Sequence, residues 1–258
     1  MTDAVIFDSH AHYDDASFAF DRERFFGSLN EHNVGYIVNV GSNIRSLTWV
    51  RHFCDKYENV YGAIGIHPDE TKGLNDVIFD RMDKLCDHNK IAAVGEIGLD
   101  YYWNSSPKEV QKYWFARQMA LAKEKKLPVI IHSREAAQDT FDMIEAADMR
   151  EYGGVVHCYS GSPEMALEYI KMGFLIGVGG VVTFKNGRKL KEVVEAVPLE
   201  SILLETDSPY LAPVPFRGKR NDSSLIKYIA ETVARIKQVS YDEVLKITCQ
   251  NAKRLFHI

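Results

Sequence analysis

Cysteine is scarce: Cys54, Cys86, Cys158 and Cys249 lie far apart in 258 residues, and no two form a C-x-x-C pair. That spacing excludes a disulfide scaffold or zinc knuckle and fits idle thiols in a reducing cytoplasm, the expected location. No Lys or Arg precedes residue 22, so the chain lacks the basic opening of a secretory signal. Long apolar runs are missing too. Leu175 to Val182, interrupted by glycine, is about the longest, far short of a membrane span. No G-x-G-x-x-G follows any candidate strand, which counts against a dinucleotide-binding sheet. Excess positive charge is also absent. With a net charge of -5, nothing chain-wide advertises nucleic acid, so a phosphate-rich ligand would have to meet local cations or a metal.

What is present reads as a barrel. Hydrophobic residues at 46% and charged residues at 26% provide an ample core. Eight short apolar or β-branched runs alternate with helical patterns: Val5–Phe7, Tyr36–Val40, Val60–Ile66, Ala92–Ile97, Pro128–Ile131, Gly154–Val156, Phe174–Val178 and Ile202–Leu204. Such alternation implies βαβ units and a parallel sheet. Eight units in this length fit an α/β chain closed into a (β/α)8 TIM barrel, with an open doubly wound sheet as the alternative. Helix starts are marked at Ser106-Pro107, Ser162-Pro163 and Ser240-Tyr241-Asp242-Glu243. Leu225, Ile229, Val233 and Ile236 form one apolar stripe. Ser240 to Phe256 reads as an additional C-terminal helix packed on the barrel's outside. No linker or repeat divides the chain, so residues 1–258 are expected to form a single domain.

Polar residues collect where these runs end. His10 and His12, spaced i, i+2 after the first run, share one face of an extended strand and can pinch one ion. His67 ends the third run, Glu96 the fourth, His132 the fifth and His157 the sixth, while Glu205 and Asp207 follow the eighth. Five of the nine histidines fall at such positions. Any one of them is as readily a satisfied core histidine; the set, at the face where barrel enzymes keep their sites, is not. Cys158 follows His157 directly, and strand alternation would turn its side chain away. Four imidazoles with a central and a distal carboxylate offer donors for two divalent ions bridged by Glu96. Paired ions clamp the attacking and leaving oxygens of a phosphoryl centre and activate water, which makes a serine or cysteine nucleophile unnecessary. Nitrogen-rich ligation favours Zn²⁺, Ni²⁺ or Mn²⁺, whereas phosphoryl chemistry often runs on Mg²⁺.

Several segments together resemble the TatD-type metal-dependent deoxyribonucleases of the amidohydrolase superfamily. They are Asp8-Ser9-His10-Ala11-His12, Gly65-Ile66-His67-Pro68, Gly95-Glu96-Ile97-Gly98-Leu99-Asp100-Tyr101, Ile131-His132-Ser133-Arg134, His157-Cys158-Tyr159-Ser160-Gly161, Leu204-Glu205-Thr206-Asp207-Ser208-Pro209-Tyr210 and Asn251-Ala252-Lys253-Arg254-Leu255-Phe256. The resemblance covers essentially the whole chain. It implies that His10, His12 and Asp207 hold one ion, that Glu96 bridges to a second, and that His132 and His157 complete the second site. Asp207 would also orient or deprotonate the attacking water, so Asp207 and Glu96 are the expected catalytic residues. Glu205 would support the ligands, and His67, Arg134 and Arg217 would meet the substrate. The implied activity is a 3′–5′ exonuclease on single-stranded DNA, with no membrane and no obligate protein partner. Glu96 stands where ester- and lactone-cleaving relatives often carry a carboxylated lysine.

Two positions depart from the family pattern. Asp69 stands where a second histidine is usual, and Asp222-Ser223 where Glu-Pro is usual. Local cations are few: Arg134, the Arg217–Arg220 loop, and Lys185, Arg188 and Lys189. Tyr101, Tyr102, Trp103, Tyr159, Tyr210 and Phe216 lie on the same loops, where rings can stack unpaired bases. Two other readings stay open. One is an ester, lactone or amide hydrolase using the same two-metal site; the other is a metal-bound scaffold without turnover.

Overall fold

A computed structural model describes residues 4–103 and 105–258. The apolar runs become β1 (Ile6–Ala11), β2 (Val34–Val40), β3 (Val60–Ala63), β4 (Ile91–Asp100), β5 (Val129–Arg134), β6 (Gly154–Val156), β7 (Phe174–Val178) and β8 (Ile202–Leu204). They pair in parallel in the order of the chain. The ring closes where β8 returns to β1: Ala11 bridges Ser208, the Asp207 N–H donates to the His10 carbonyl (2.9 Å), and the His12 N–H donates to the Ser208 carbonyl (2.8 Å). Between and after the strands run α1 (Arg22–Gly27), α2 (Ser46–Lys56), α3 (Asp76–Cys86), α4 (Lys108–Lys125), α5 (Ala137–Ala147), α6 (Pro163–Lys171), α7 (Arg188–Ala196), α8 (Ile226–Lys237) and α9 (Tyr241–Phe256). This is the (β/α)8 barrel expected from the alternation. No helix among the described residues is long and apolar enough to cross a membrane.

Side chains from every strand fill the barrel interior. Phe7, Val38, Ala63, Ala93, Ile130, Val155, Leu175 and Leu203 are buried in one cluster. The same cluster takes in Cys249, Ala252, Leu255 and Phe256 of α9, with the Phe256 ring 6.0 Å from that of Phe7. The C-terminal helix therefore does not simply lie on the outside. Its apolar face closes the N-terminal mouth of the barrel, and Asn251 anchors it by donating to the carbonyls of Leu199 (2.9 Å) and Ile202 (3.0 Å).

Two of the three helix-start signals act as read: Ser162 accepts from the Met165 N–H and Ser240 from the Glu243 N–H. Ser106 does not cap α4. Its hydroxyl is drawn into a longer-range contact, accepting from the Lys72 N–H (3.0 Å) and donating to the Asp69 carbonyl (3.0 Å). Pro107 takes the capping position instead, without a side-chain bond.

β4 departs from regular pairing where it matters most. The Gly95 N–H donates to Ile64 O, but the Glu96 N–H reaches past β3 to Gly41 O at the end of β2 (2.9 Å). The strand thus steps inward at Glu96. Gly65 and Gly95 permit it: a Cβ on Gly65 would lie 2.3 Å from the Gly95 carbonyl carbon, and one on Gly95 would lie 2.5 Å from Ile130 Cβ.

Candidate active site

The inward step puts Glu96 at the centre of the C-terminal mouth, buried at 4% exposure. Its two oxygens face different partners. Oε2 lies 3.4 Å from His10 Nε2 and 3.7 Å from His12 Nε2. Oε1 lies 2.8 Å from His132 Nδ1, 3.4 Å from His157 Nε2 and 3.8 Å from His67 Nε2. Alternation along β1 brings His10 and His12 together, their Nε2 atoms 3.1 Å apart. Asp207 Oδ1 approaches from the β8 end, 3.5 Å from His12 and 3.9 Å from His10. Asp207 has φ of 56°, the left-handed region that a residue with a Cβ enters only when its surroundings hold it there. Its N–H bond to His10 O provides that hold.

The donor set fits divalent cations. His12 Nδ1 lies 3.0 Å from Val40 O, and a carbonyl only accepts, so Nδ1 carries the proton and Nε2 turns toward the cluster. Nitrogens of His10 and His12 with Glu96, and of His132 and His157 with Glu96, form two overlapping groups whose ligand atoms lie within 4.8 Å of one another. Burial and the neighbouring charges pull these groups in opposite directions. Burial alone would lower His12, but the Asp207 hydrogen bond and the charge of Glu96 hold it up at about 9. His132 is likewise held at about 9 by Asp100 and Glu96 against the pull of burial. Burial, with His157 stacked 3.6 Å away, pushes His10 down, and burial takes His67 to about 4. Burial would raise Glu96 and Asp207, yet the surrounding imidazoles keep both below the usual carboxylate range.

Glu205 sits behind His157, with Oε1 3.4 Å from His157 Nδ1 and accepting the Cys158 N–H at 2.5 Å. Gly177 makes room for it, since a Cβ there would fall 2.5 Å from Glu205 Oε2. Strand alternation misplaces Cys158. β6 ends at Val156, Cys158 has φ of 46°, and its sulfur joins His157 and Asp207 in a possible ligand group. Burial and the nearby carboxylates raise its thiol well above the usual range, which disfavours the thiolate that a metal needs.

The cluster forms the floor of a cavity of about 590 Å³. His67 and Arg134 line it; Arg217 does not, its guanidinium lying 4.5 Å above the Phe184 ring. Lys185 and Arg188 are also outside it, Arg188 being paired with Glu192, and Lys189 borders a smaller neighbouring cavity. Asp69 reaches the cavity wall. The other departure serves the fold: the Ser223 hydroxyl donates to Asp8 Oδ2 (2.6 Å), and Thr206 Oγ1 donates to the same oxygen (2.6 Å). Burial raises that carboxyl to about 7. Asp100 was not singled out from sequence, yet its Oδ2 is 2.9 Å from His132 Nε2. Its signal was the spacing of four from Glu96 along a strand that runs on through Gly98 and Leu99.

Residues 7–257 match the family model described as TatD related DNase. An uncharacterized metal-dependent hydrolase of Bacillus subtilis (strain 168), YabD, is 42% identical over 254 residues, covering 98% of this chain and 100% of the relative. The chain belongs to the TatD family. It is a metal-dependent hydrolase of that family, with a second relative in YcfH of Escherichia coli K12, itself called an uncharacterized metal-dependent hydrolase, at 34% identity over 97% of this chain and 95% of YcfH. Among solved structures, the TatD homolog YJJV of Escherichia coli K12 superposes with a TM-score of 0.93 at 29% identity, covering 99% of both chains.

Proposed function

We propose that this TatD-family hydrolase is a deoxyribonuclease that trims single-stranded DNA from the 3′ end. The observation that carries the reading is the double-facing Glu96, one oxygen toward His10 and His12 and the other toward His132 and His157. His10, His12 and Asp207 would hold one divalent ion and His132 and His157 a second, with Glu96 between them. Bound there, two such ions lower the pKa of water toward neutrality and polarise the phosphoryl oxygens. Asp207, kept ionised by the imidazoles around it, orients the attacking water and takes its proton. Glu205 fixes the His157 ring from behind, as outer partners of ligating histidines do. His67 and Arg134 meet the substrate at the cavity wall, and Arg217 meets only a strand long enough to leave it. The family match describes related DNases, which supports a phosphodiester substrate.

End-labelled single-stranded oligonucleotides incubated with the protein and Mg²⁺, Mn²⁺ or Zn²⁺ test this. Stepwise shortening from the 3′ end is expected, and Glu96→Ala should reduce the rate at least about 100-fold, since losing even an outer partner of a ligand costs ~10–100-fold. Equal inactivity of wild type and variant with all three metals refutes the nuclease reading. One observation favours a carboxylic ester, lactone or amide substrate instead: Arg134 is the single Lys or Arg among the described residues lining the cavity, against Asp14, Asp15, Asp69, Asp100 and the cluster carboxylates. Chromogenic esters and lactones separate the two, and turnover confined to phosphodiesters eliminates the second.

A further inference from the structure

Large rings stand in solvent around the cavity: Tyr102, which neighbours the cavity-lining Trp103, then Trp103 itself and Tyr210, which also lines it, are 51%, 61% and 56% exposed. The first two are built into a platform. Asp100 Oδ1 accepts the N–H groups of Tyr102 (2.9 Å) and Trp103 (3.0 Å), while its Oδ2 contacts His132. The turn is thereby tied rigidly to the metal-ligand cluster. Arg134, paired in register with Asp100 at the end of β5, lays its guanidinium 3.9 Å from the Tyr102 ring centre and 5.4 Å from that of Trp103. The two rings meet edge to face at 87°, and Trp103 is the more exposed. The facing wall differs. There Tyr210 shares the mouth with Asp14, Asp15 and Asp207, and no Lys or Arg lines it among the described residues.

We infer that the unpaired strand runs across the β4–β5 wall, a base beside the scissile bond stacking on Trp103 and its phosphate lying on Arg134, while the acidic Tyr210 wall turns the strand away. This rests on the phosphodiesterase reading above and adds the path of the substrate and the residue that selects it. Every unpaired, unstacked base offers a π-face, whereas inside a duplex both faces of each base are covered by the pairs stacked above and below it. Trp103 therefore favours unpaired ends without reading sequence.

The test uses the full chain and two readouts. Trp114 is buried and Trp49 half-buried, so quenching of tryptophan emission by oligo(dT) in metal-free protein reports on Trp103. Quenching is expected in wild type and Tyr210→Ala, and is lost in Trp103→Phe or when a blunt duplex replaces oligo(dT). In the kinetic arm, Trp103→Ala raises KM for a single-stranded oligonucleotide by about fivefold or more. Trp103→Phe recovers much of that loss, and turnover of methyl p-nitrophenyl phosphate, which carries no neighbouring base, stays unchanged. Quenching that persists in Trp103→Phe, an unchanged KM in Trp103→Ala, or binding abolished by Tyr210→Ala overturns the inference. If wild type cleaves neither DNA nor the small diester, the phosphodiesterase reading fails and the fluorescence arm alone decides the strand path.

Discussion

The two mouths of this barrel are made by the same strands and have opposite chemistry. On β1 the interior changes from Phe7 to His10, on β4 from Ala93 to Glu96, on β5 from Ile130 to His132, and past β6 from Val155 to His157. Two or three residues, about 7–10 Å of strand, separate a dry apolar layer from a nest of ionisable groups. The lower end is closed by α9 and needs only shape and apolar area. The upper end keeps histidines and carboxylates that repel or attract one another at 3–4 Å, seated directly on that buried apolar layer. Stability and chemistry are thus separated along the barrel axis rather than between domains.

Breaking the lower end should have the largest effect. Phe256→Ala removes the ring that α9 packs against Phe7 and should cost ~3–5 kcal/mol in denaturant unfolding, with metal stoichiometry unchanged in the folded fraction. Loss of bound metal from the folded variant would show that the two ends are not separable. At the upper end, changing His10 and His12 together to Ala should empty one metal position by elemental analysis while His132 and His157 keep the other. Retention of the full wild-type complement would mean that the ions are held differently.

Most of this contrast is legible in the sequence, because a strand that turns from apolar to histidine announces its direction and which mouth of the barrel carries the polar groups. His10, His12, His132 and His157 all lie within two residues of a strand's C-terminal end. What escapes is whatever depends on a partner distant in the chain. Asp100 lies beyond the apolar run Ala92–Ile97, and only register with β5 out to Arg134 carries β4 that far. Ser106 carried a capping signal that a loop 34 residues upstream outcompetes. The periodicity of α9 gives its apolar face but not which surface that face covers. Cys158 escaped because alternation applies only while the chain is a strand.

A smaller effect sharpens the upper half of the comparison. Glu205→Gln keeps the volume beneath Gly177 but removes the charge facing His157 Nδ1, and should lower turnover ~10–100-fold without unfolding the protein. An unchanged rate would make Glu205 a packing residue only. The smallest effect lies at the rim, where Arg220 donates to both oxygens of Asp21 (2.7 Å each) and holds that carboxyl below its ordinary range. A depressed folded-state pKa gives stability above the unfolded value of about 3.9 that disappears as the pH falls through the folded one. The Tm of wild type should therefore exceed that of Asp21→Asn near neutrality, with the gap shrinking as the pH drops below about 4. A gap that does not change with pH would assign the effect to packing.

The hydrogen bond from Asp207 to His10 has a consequence in time as well as in space. It joins residues almost two hundred positions apart, seals the last seam of the barrel, and fixes the carboxylate proposed to handle the water proton. A chain growing from its N-terminus carries every histidine of the cluster well before it carries Asp207. If Asp207 handles the water proton as proposed, hydrolytic competence arrives only with the eighth strand, after the proposed histidine ligands have all been made.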